Sequence, residues 1–167
     1  MKVHLREWRK EEAELLATLA NNKKIADNMR DLFPHPYTTS DAMKWIADNE
    51  TKIPPTTFAI EVDGAFAGGC GIHPKEDVYR CSAEIGYWIA EPYWGKGIAT
   101  EAIKQLLGKI VPDLPNIVRL YAEVFEYNKA SMRVLEKNGF HLESIRKKAV
   151  IKNNVVMDDY VWVKLLK

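Results

Sequence analysis

Residues 84–101, EIGYWIAEPYWGKGIATE, hold the group of residues in this chain whose types and spacing most clearly suggest chemistry. A run of β-forming residues enters a loop with glycines at 95 and 97, and the loop opens directly into a helical pattern. From Gly97 onward, Ile98, Ala102, Ile103, Leu106, Leu107 and Ile110 repeat with the period of an amphipathic helix that buries one face. The glycines therefore sit at a helix N-terminus. Free backbone N–H groups and the positive end of the helix dipole meet there, and small residues let an anion approach the chain. The chemistry implied is the holding of a diphosphate. A nucleoside triphosphatase loop would need Lys-Ser/Thr after the second glycine, where Ile98-Ala99 stands instead. A dinucleotide fingerprint, G-x-G-x-x-G/A, is met only in part, because Gly95 and Gly97 are followed by Thr100. Two glycines would also serve a tight strand-to-helix turn and nothing more. A second constellation tips the balance: Asn128-Lys129-Ala130-Ser131, followed by Glu136-Lys137-Asn138-Gly139-Phe140.

The rest of the chain reads as what must position these groups. Residues 3–8 alternate as a short strand, residues 11–19 and 24–30 carry helical patterns, and Pro34 and Pro36 break them. Ser40 or Asp41 can cap a helix bearing Ala42, Trp45 and Ile46. Residues 57–62 and 66–72 form a hairpin through Asp63-Gly64, the dipeptide best suited to a tight turn. After a polar loop at 73–80 comes a strand at 83–90, with Ala83, Ile85, Tyr87 and Ile89 on one face and Glu84, Gly86 and Trp88 on the other. A strand at 118–124, a helix at 128–138 capped by Asn128 and stopped at Gly139, and long strands at 140–150 and 155–165 about Asn153-Asn154 complete the order. No repeat or linker divides it, so a single domain over residues 1–167 is expected.

Composition narrows the partners. The chain has 167 residues, enough to bury roughly 70% of the surface that the unfolded chain exposes. Lys plus Arg number 24 against 23 for Asp plus Glu, so no basic face for nucleic acid or anionic membrane is indicated. Cys70 and Cys81 show neither zinc-ligand nor disulfide spacing and read as buried, reduced thiols, with no metal site implied. There is no signal-peptide pattern and no apolar run near the ~20 residues of a membrane span, so a soluble cytoplasmic protein is expected.

The segments AEIGYWIAEPYWGKGIATEA and NKASMRVLEKNGF resemble the acyl-CoA loop and the following strand-helix-strand of the GCN5-related N-acetyltransferases (GNAT), in the RimJ/RimL-like ribosomal-protein-alanine acetyltransferase branch. The resemblance extends over most of the chain. It implies an α/β (α+β) GNAT fold: a mixed, mostly antiparallel central sheet of about seven strands with helices on both faces. The family loop pattern Q/R-x-x-G-x-G/A falls on Trp94, Gly95, Lys96, Gly97, Ile98 and Ala99, with Trp94 departing at the first position. By the same resemblance the cosubstrate is acetyl-CoA. Its diphosphate would rest on the N–H groups of residues 95–100, and its pantetheine arm would pair with a strand that splays near Ile89. Lys96 can either add charge to the phosphates or be a solvated loop lysine.

Acetyl transfer to an amine needs a neutral amine, a polarised thioester carbonyl and a proton for the thiolate. Glu84, a carboxylate in mid-strand between Ala83 and Ile85, is the first candidate base, with Glu123 in reserve. A plain ion pair is the alternative reading for Glu84. A backbone N–H between residues 88 and 90 is expected to polarise the carbonyl. The tyrosine that many family members use as acid is replaced here by Leu135, and Ser131, one turn earlier, takes its place by resemblance to the RimL-like branch. Asn128 serves as a coenzyme contact, an N-cap, or both. His35 and His73 read as solvent-facing loop residues that border the acceptor cleft. The expected activity is N-acetylation of a primary amine, such as a protein N-terminus, by direct attack in a ternary complex; a homodimer is allowed. The alternatives are a non-catalytic acyl-CoA-binding or regulatory module and, less favoured, a dinucleotide-binding oxidoreductase.

Overall fold

Alternating apolar and polar residues generate strands wherever one face can be buried, and seven such stretches form strands here. In the computed structural model, which describes residues 1–166, these are β1 (Val3–Arg6), β2 (Thr57–Val62), β3 (Ala65–Pro74), β4 (Ser82–Ile89), β5 (Arg119–Phe125), β6 (His141–Lys152) and β7 (Val155–Leu165). They join one sheet in the order β1-β2-β3-β4-β5-β7-β6. Every neighbouring pair is antiparallel except β4 with β5. Five α-helices accompany them: α1 (Ala13–Ala20), α2 (Lys23–Ala26), α3 (Thr39–Glu50), α4 (Ile98–Ile110) and α5 (Lys129–Lys137).

Period 2 in the strands sends neighbouring residues to opposite faces, and each face has its own helices. Ile98, Ala102, Ile103, Leu106 and Ile110 of α4 and Met132 and Leu135 of α5 pack with Phe58, Ile60, Ile85 and Leu120 on one face. Leu16 and Ala20 of α1 and Ala42 and Ile46 of α3 pack with Ala59 and Phe66 on the other, with Trp8, Trp45 and Trp88 at its margin. The mixed sheet with helices on both faces is thus the architecture expected from the sequence.

Several boundaries differ from the sequence reading, each for a local reason. β1 ends at Arg6, because Trp8 leaves the ladder to donate its indole N–H to the Thr57 hydroxyl (3.0 Å) and to pack edge-on against Trp45. α3 is capped by Thr38, not by Ser40 or Asp41. The Thr38 hydroxyl accepts from the Asp41 N–H (3.2 Å) and the Asp41 carboxylate accepts from the Thr38 N–H (2.8 Å), a reciprocal box that starts the helix earlier than a cap at Ser40 or Asp41 would. β3 continues through His73 and Pro74, which pair with Glu84 and Ala83, so His73 belongs to a strand and not to a loop. The two hairpin turns form as read, with positive φ at Asp63 and Gly64 and again at Asn153 and Asn154. Cys70 is buried and its thiol pKa is raised by desolvation, whereas Cys81 is exposed, contrary to the expectation that both lie inside. No helix among the described residues is long and apolar enough to cross a membrane.

The face that carries α4 is the one that shapes the site, and Leu106, completely buried, is central to it. Leu106→Ala is expected to lower unfolding free energy by about 2–5 kcal/mol through lost burial and a residual cavity, measured by urea titration.

Candidate active site

β4 is paired along its whole length with β3, from Gly68↔Ile89 to Pro74↔Ala83. Its other edge meets β5 only at Ser82↔Arg119, Ala83↔Leu120 and Glu84↔Tyr121. Beyond Glu84 the two strands part. The Ala90 N–H donates to the Ala67 carbonyl (2.8 Å), and the alternation of the antiparallel ladder then directs the backbone groups of Gly86 and Trp88 toward β3. Those of Ile85, Tyr87 and Ile89 face the opening between β4 and β5. An extended chain laid in that opening finds a ready line of donors and acceptors.

The glycine loop closes one end of the opening. Trp94 donates its indole N–H to the Ile89 carbonyl (2.7 Å), which ties the loop to the end of β4 and occupies one of the outward-facing groups. Gly95 (φ 72°) and Gly97 (φ 75°) are left-handed, a conformation that side chains with a Cβ disfavour, and the space above both is open. Gly97 is the N-cap of α4, and its carbonyl accepts from the Glu101 N–H (3.1 Å). The N–H groups of Ile98, Ala99 and Thr100 precede the first helical bond and remain for an anion. The Ile98 side chain is in the core, so only its backbone can serve a ligand. Lys96 folds back onto its own loop, donating to the Pro92 carbonyl (2.9 Å) over the Tyr93 ring.

The N-terminus of α5 forms the facing wall. The Asn128 side-chain oxygen accepts from the Ser131 N–H (3.2 Å), so the capping reading of Asn128 holds and its amide nitrogen alone is left for a ligand. Asn138, at the far end of α5, donates to the Thr100 carbonyl (3.2 Å) and fastens the two helices together. Leu135 is completely buried. The Ser131 hydroxyl lies 2.7 Å from the Tyr87 hydroxyl, which also lies 3.1 Å from the Ser131 carbonyl. Sequence reasoning placed Tyr87 on the apolar face of β4 without giving it a role. Burial raises the pKa of its phenol above the ordinary value, so it remains protonated at neutral pH. The available signal was a polar tip on a core-facing position, which needs a partner when buried.

Glu84 lies on the other face of β4, one residue from the edge that opens. Its carboxylate is 16% exposed and is held by the Arg30 guanidinium through both oxygens, with Lys75 Nζ at 3.4 Å. Arg30 also donates to Glu123 on β5 (2.8 Å), so one side chain spans the two parting strands. The ion-pair reading of Glu84 therefore describes the structure, and Arg30, which sequence reasoning missed, is the partner. Glu123 in turn receives Arg146 of β6 (2.7 Å). His73 stands opposite Glu84 in the β3–β4 register, with its Nε2 3.8 Å from where a Cβ of Gly86 would lie. Desolvation lowers its pKa, and Glu84 opposes that shift.

The fold that carries these features has counterparts among known proteins. Curated relatives from Bacillus subtilis align over as little as 46% of their own length, so the chain spans about half of several of them. Spermidine N(1)-acetyltransferase of Escherichia coli K12 is 32% identical over 146 residues, 84% of this chain and 74% of that protein. A RimL ribosomal L7/L12 α-N-protein acetyltransferase in complex with coenzyme A superposes with a TM-score of 0.85 at 22% identity, covering 99% of this chain and 94% of that one. The microcin C7 self-immunity acetyltransferase MccE, in complex with acetyl-CoA and AMP, superposes with a TM-score of 0.80 at 27% identity, over 99% of this chain and 93% of that one. Residues 2–141 match the acetyltransferase (GNAT) domain, and the chain belongs to the GNAT acetyltransferase family.

Proposed function

We propose that this chain transfers the acetyl group of acetyl-CoA to a primary amine by direct attack while both are bound. The observation that carries the proposal is the loss of β4–β5 pairing after Glu84, with an anion-binding helix start at one end and a Ser–Tyr hydroxyl pair on one wall. Acetyl-CoA, the cosubstrate of the family, supplies an activated thioester. The N–H groups of residues 95–100 hold its diphosphate, and the backbone of Ile85, Tyr87 and Ile89 pairs with the pantetheine arm. Of the three N–H groups at the end of β4, that of Ala90 is engaged by Ala67 and that of Trp88 faces β3. The Ile89 N–H therefore stays open to the pantetheine arm, its carbonyl being taken by Trp94, and an outward-facing N–H of β4 nearer Glu84 is left to hold the thioester carbonyl oxygen. Ser131 Oγ gives its proton to the departing sulfur and takes up the second proton that the nitrogen loses as the amide forms, while Tyr87 Oη, 2.7 Å away, keeps its own proton and orients the serine hydroxyl.

The amine enters from the face that carries Glu84. Glu84 draws the ammonium and takes its proton as the guanidinium of Arg30, 54% exposed, swings aside. Glu123 is the reserve base. A protein N-terminus is one acceptor supported by the likeness to RimL, and small amines are supported by the spermidine-acetylating relative. A second reading, acyl-CoA binding without turnover, draws on one observation: Arg30 already occupies the position between Glu84 and Glu123 that an acceptor cation would take.

Ser131→Ala and Tyr87→Phe are each expected to lower kcat for coenzyme A release by about tenfold to a hundredfold, with acetyl-CoA affinity by calorimetry changed less than threefold. Unchanged turnover in both would remove the hydroxyl pair from the mechanism. Glu84→Gln should reduce kcat/KM at neutral pH by at least about a hundredfold and leave acetyl-CoA binding intact. A wild-type protein that binds acetyl-CoA tightly and releases no coenzyme A with any amine or N-terminal peptide would establish the binding-only reading.

A further inference from the structure

The face that carries Glu84 continues into a second cleft, of about 270 Å³, walled by β5, β6, β7 and the segment after α2. Its deepest acidic group is Asp159 of β7. Asp159 stands opposite Phe125 on β5 and Arg146 on β6 and is 1% exposed. One carboxylate oxygen, Oδ2, accepts from Arg146 Nε (3.1 Å). The other, Oδ1, is buried with no hydrogen-bond partner among the described residues. A buried carboxylate oxygen without a donor is costly, and such groups are rare unless a ligand or a solvent molecule completes them.

The neighbouring charges show what kind of donor is missing. Three cations line the cleft, and each already has a carboxylate: Arg30 holds Glu84 and Glu123, Arg146 holds Glu123 and Asp159 Oδ2, and Lys152 holds Asp31 (2.8 Å). None of them reaches Oδ1. Desolvation and the nearby Glu123 both push the Asp159 pKa up, against Arg146 and Arg30, so a fourth cation would be welcome beside it. Phe125, Val150 and Ile151 supply apolar wall on the approach, which suits an alkyl stem. From Tyr121, where β5 last touches β4, to Phe125 is four residues, roughly 13 Å of strand. Arg146, which is 46% exposed, is the side chain that would turn to admit a ligand.

We propose that Asp159 and this cleft hold a second alkylammonium group of the acceptor, whose first amine is acetylated at the opening between β4 and β5. The inference rests on the amine-acetylation reading above. Either a free diamine or a lysine side chain near a peptide N-terminus carries the required chemistry.

The test compares KM values for coenzyme A release with 1,8-diaminooctane against octylamine, and with the peptide Ser-Ala-Lys against Ser-Ala-norleucine. The diamine or the lysine peptide is expected to show a KM about tenfold lower than its partner, the size of one charge-assisted hydrogen bond. A preference in the first pair identifies a small-amine acceptor and one in the second a peptide. Asp159→Asn, which keeps the shape, should erase the preference by raising that KM about tenfold while kcat at saturation and the acetyl-CoA KM hold. Val150→Lys, which tethers an ammonium in the cleft without touching Asp159, should raise the same KM if Asp159→Asn folds poorly. Equal KM values within both pairs for the wild type, or a preference that survives both variants, overturn the assignment. If no amine is acetylated, the activity reading fails, and calorimetry with 1,8-diaminooctane then tests the cleft alone: binding that is lost in Asp159→Asn supports it, and no binding to the wild type overturns it.

Discussion

The rest of the structure depends on β4 giving up its hydrogen bonds to β5 after three residue pairs. β4 belongs fully to β3, and β5 belongs fully to β7 from Arg119↔Leu165 to Phe125↔Asp159. The sheet is therefore two sets of strands joined over residues 82–84 and 119–121. Past the joint each set follows its own twist, and the inner edges separate. Unpaired backbone groups inside a protein are unfavourable, so such an edge persists only where something else can complete it. Here the Trp94 indole covers the Ile89 carbonyl, and the remaining groups suit an extended ligand arm.

Strand parity divides the chemistry between two sides of this opening. Tyr87 points toward α5 and meets Ser131, while Glu84, an odd number of residues earlier, points to the opposite face and meets Arg30. The Tyr87 hydroxyl and the Glu84 carboxylate thus stand on one strand without meeting. The two environments also differ: the Tyr87 phenol is kept protonated by burial, and the Glu84 carboxylate is held by Arg30 with Lys75 nearby. A shift of β4 by one residue would exchange the two faces and destroy both arrangements.

Features built from neighbouring residues were legible in the sequence. The glycine loop, the apolar stripe of α4, the Asn128 cap, the left-handed Gly139 and both hairpin turns arise from local rules of φ and periodicity, and all are present. The features that were not legible join distant parts of the chain. Tyr87 and Ser131 are 44 residues apart, Arg30 and Glu84 are 54 apart, and Arg30 and Glu123 are 93 apart. No spacing rule connects such pairs. The carboxylate of Glu84 was readable as out of place in a strand, but whether it meets a cleft or a cation depends on where the segment after α2 folds. Cys81 shows the same limit from the other side, because a small thiol next to a strand carries no sign of the face it will occupy.

The position of Arg30 is set by how its segment is anchored. Asn22, which caps α2, donates to Glu91 (2.6 Å), the Tyr37 N–H donates to Asn21 (3.0 Å), and Lys152 reaches Asp31 (2.8 Å). Both ends of the segment are thereby tied to the body of the protein, and Phe33 and Tyr37 pack against each other, with Trp88 touching Phe33. The Arg30 side chain itself is half exposed, so its ion pairs contribute at most about 1 kcal/mol each. A fixed backbone carrying a weakly held guanidinium can exchange that group for another cation without unfolding the segment. In the proposed reaction Arg30 holds the two carboxylates on the parting strands in place, and an ammonium that replaces it enters a site that is already formed.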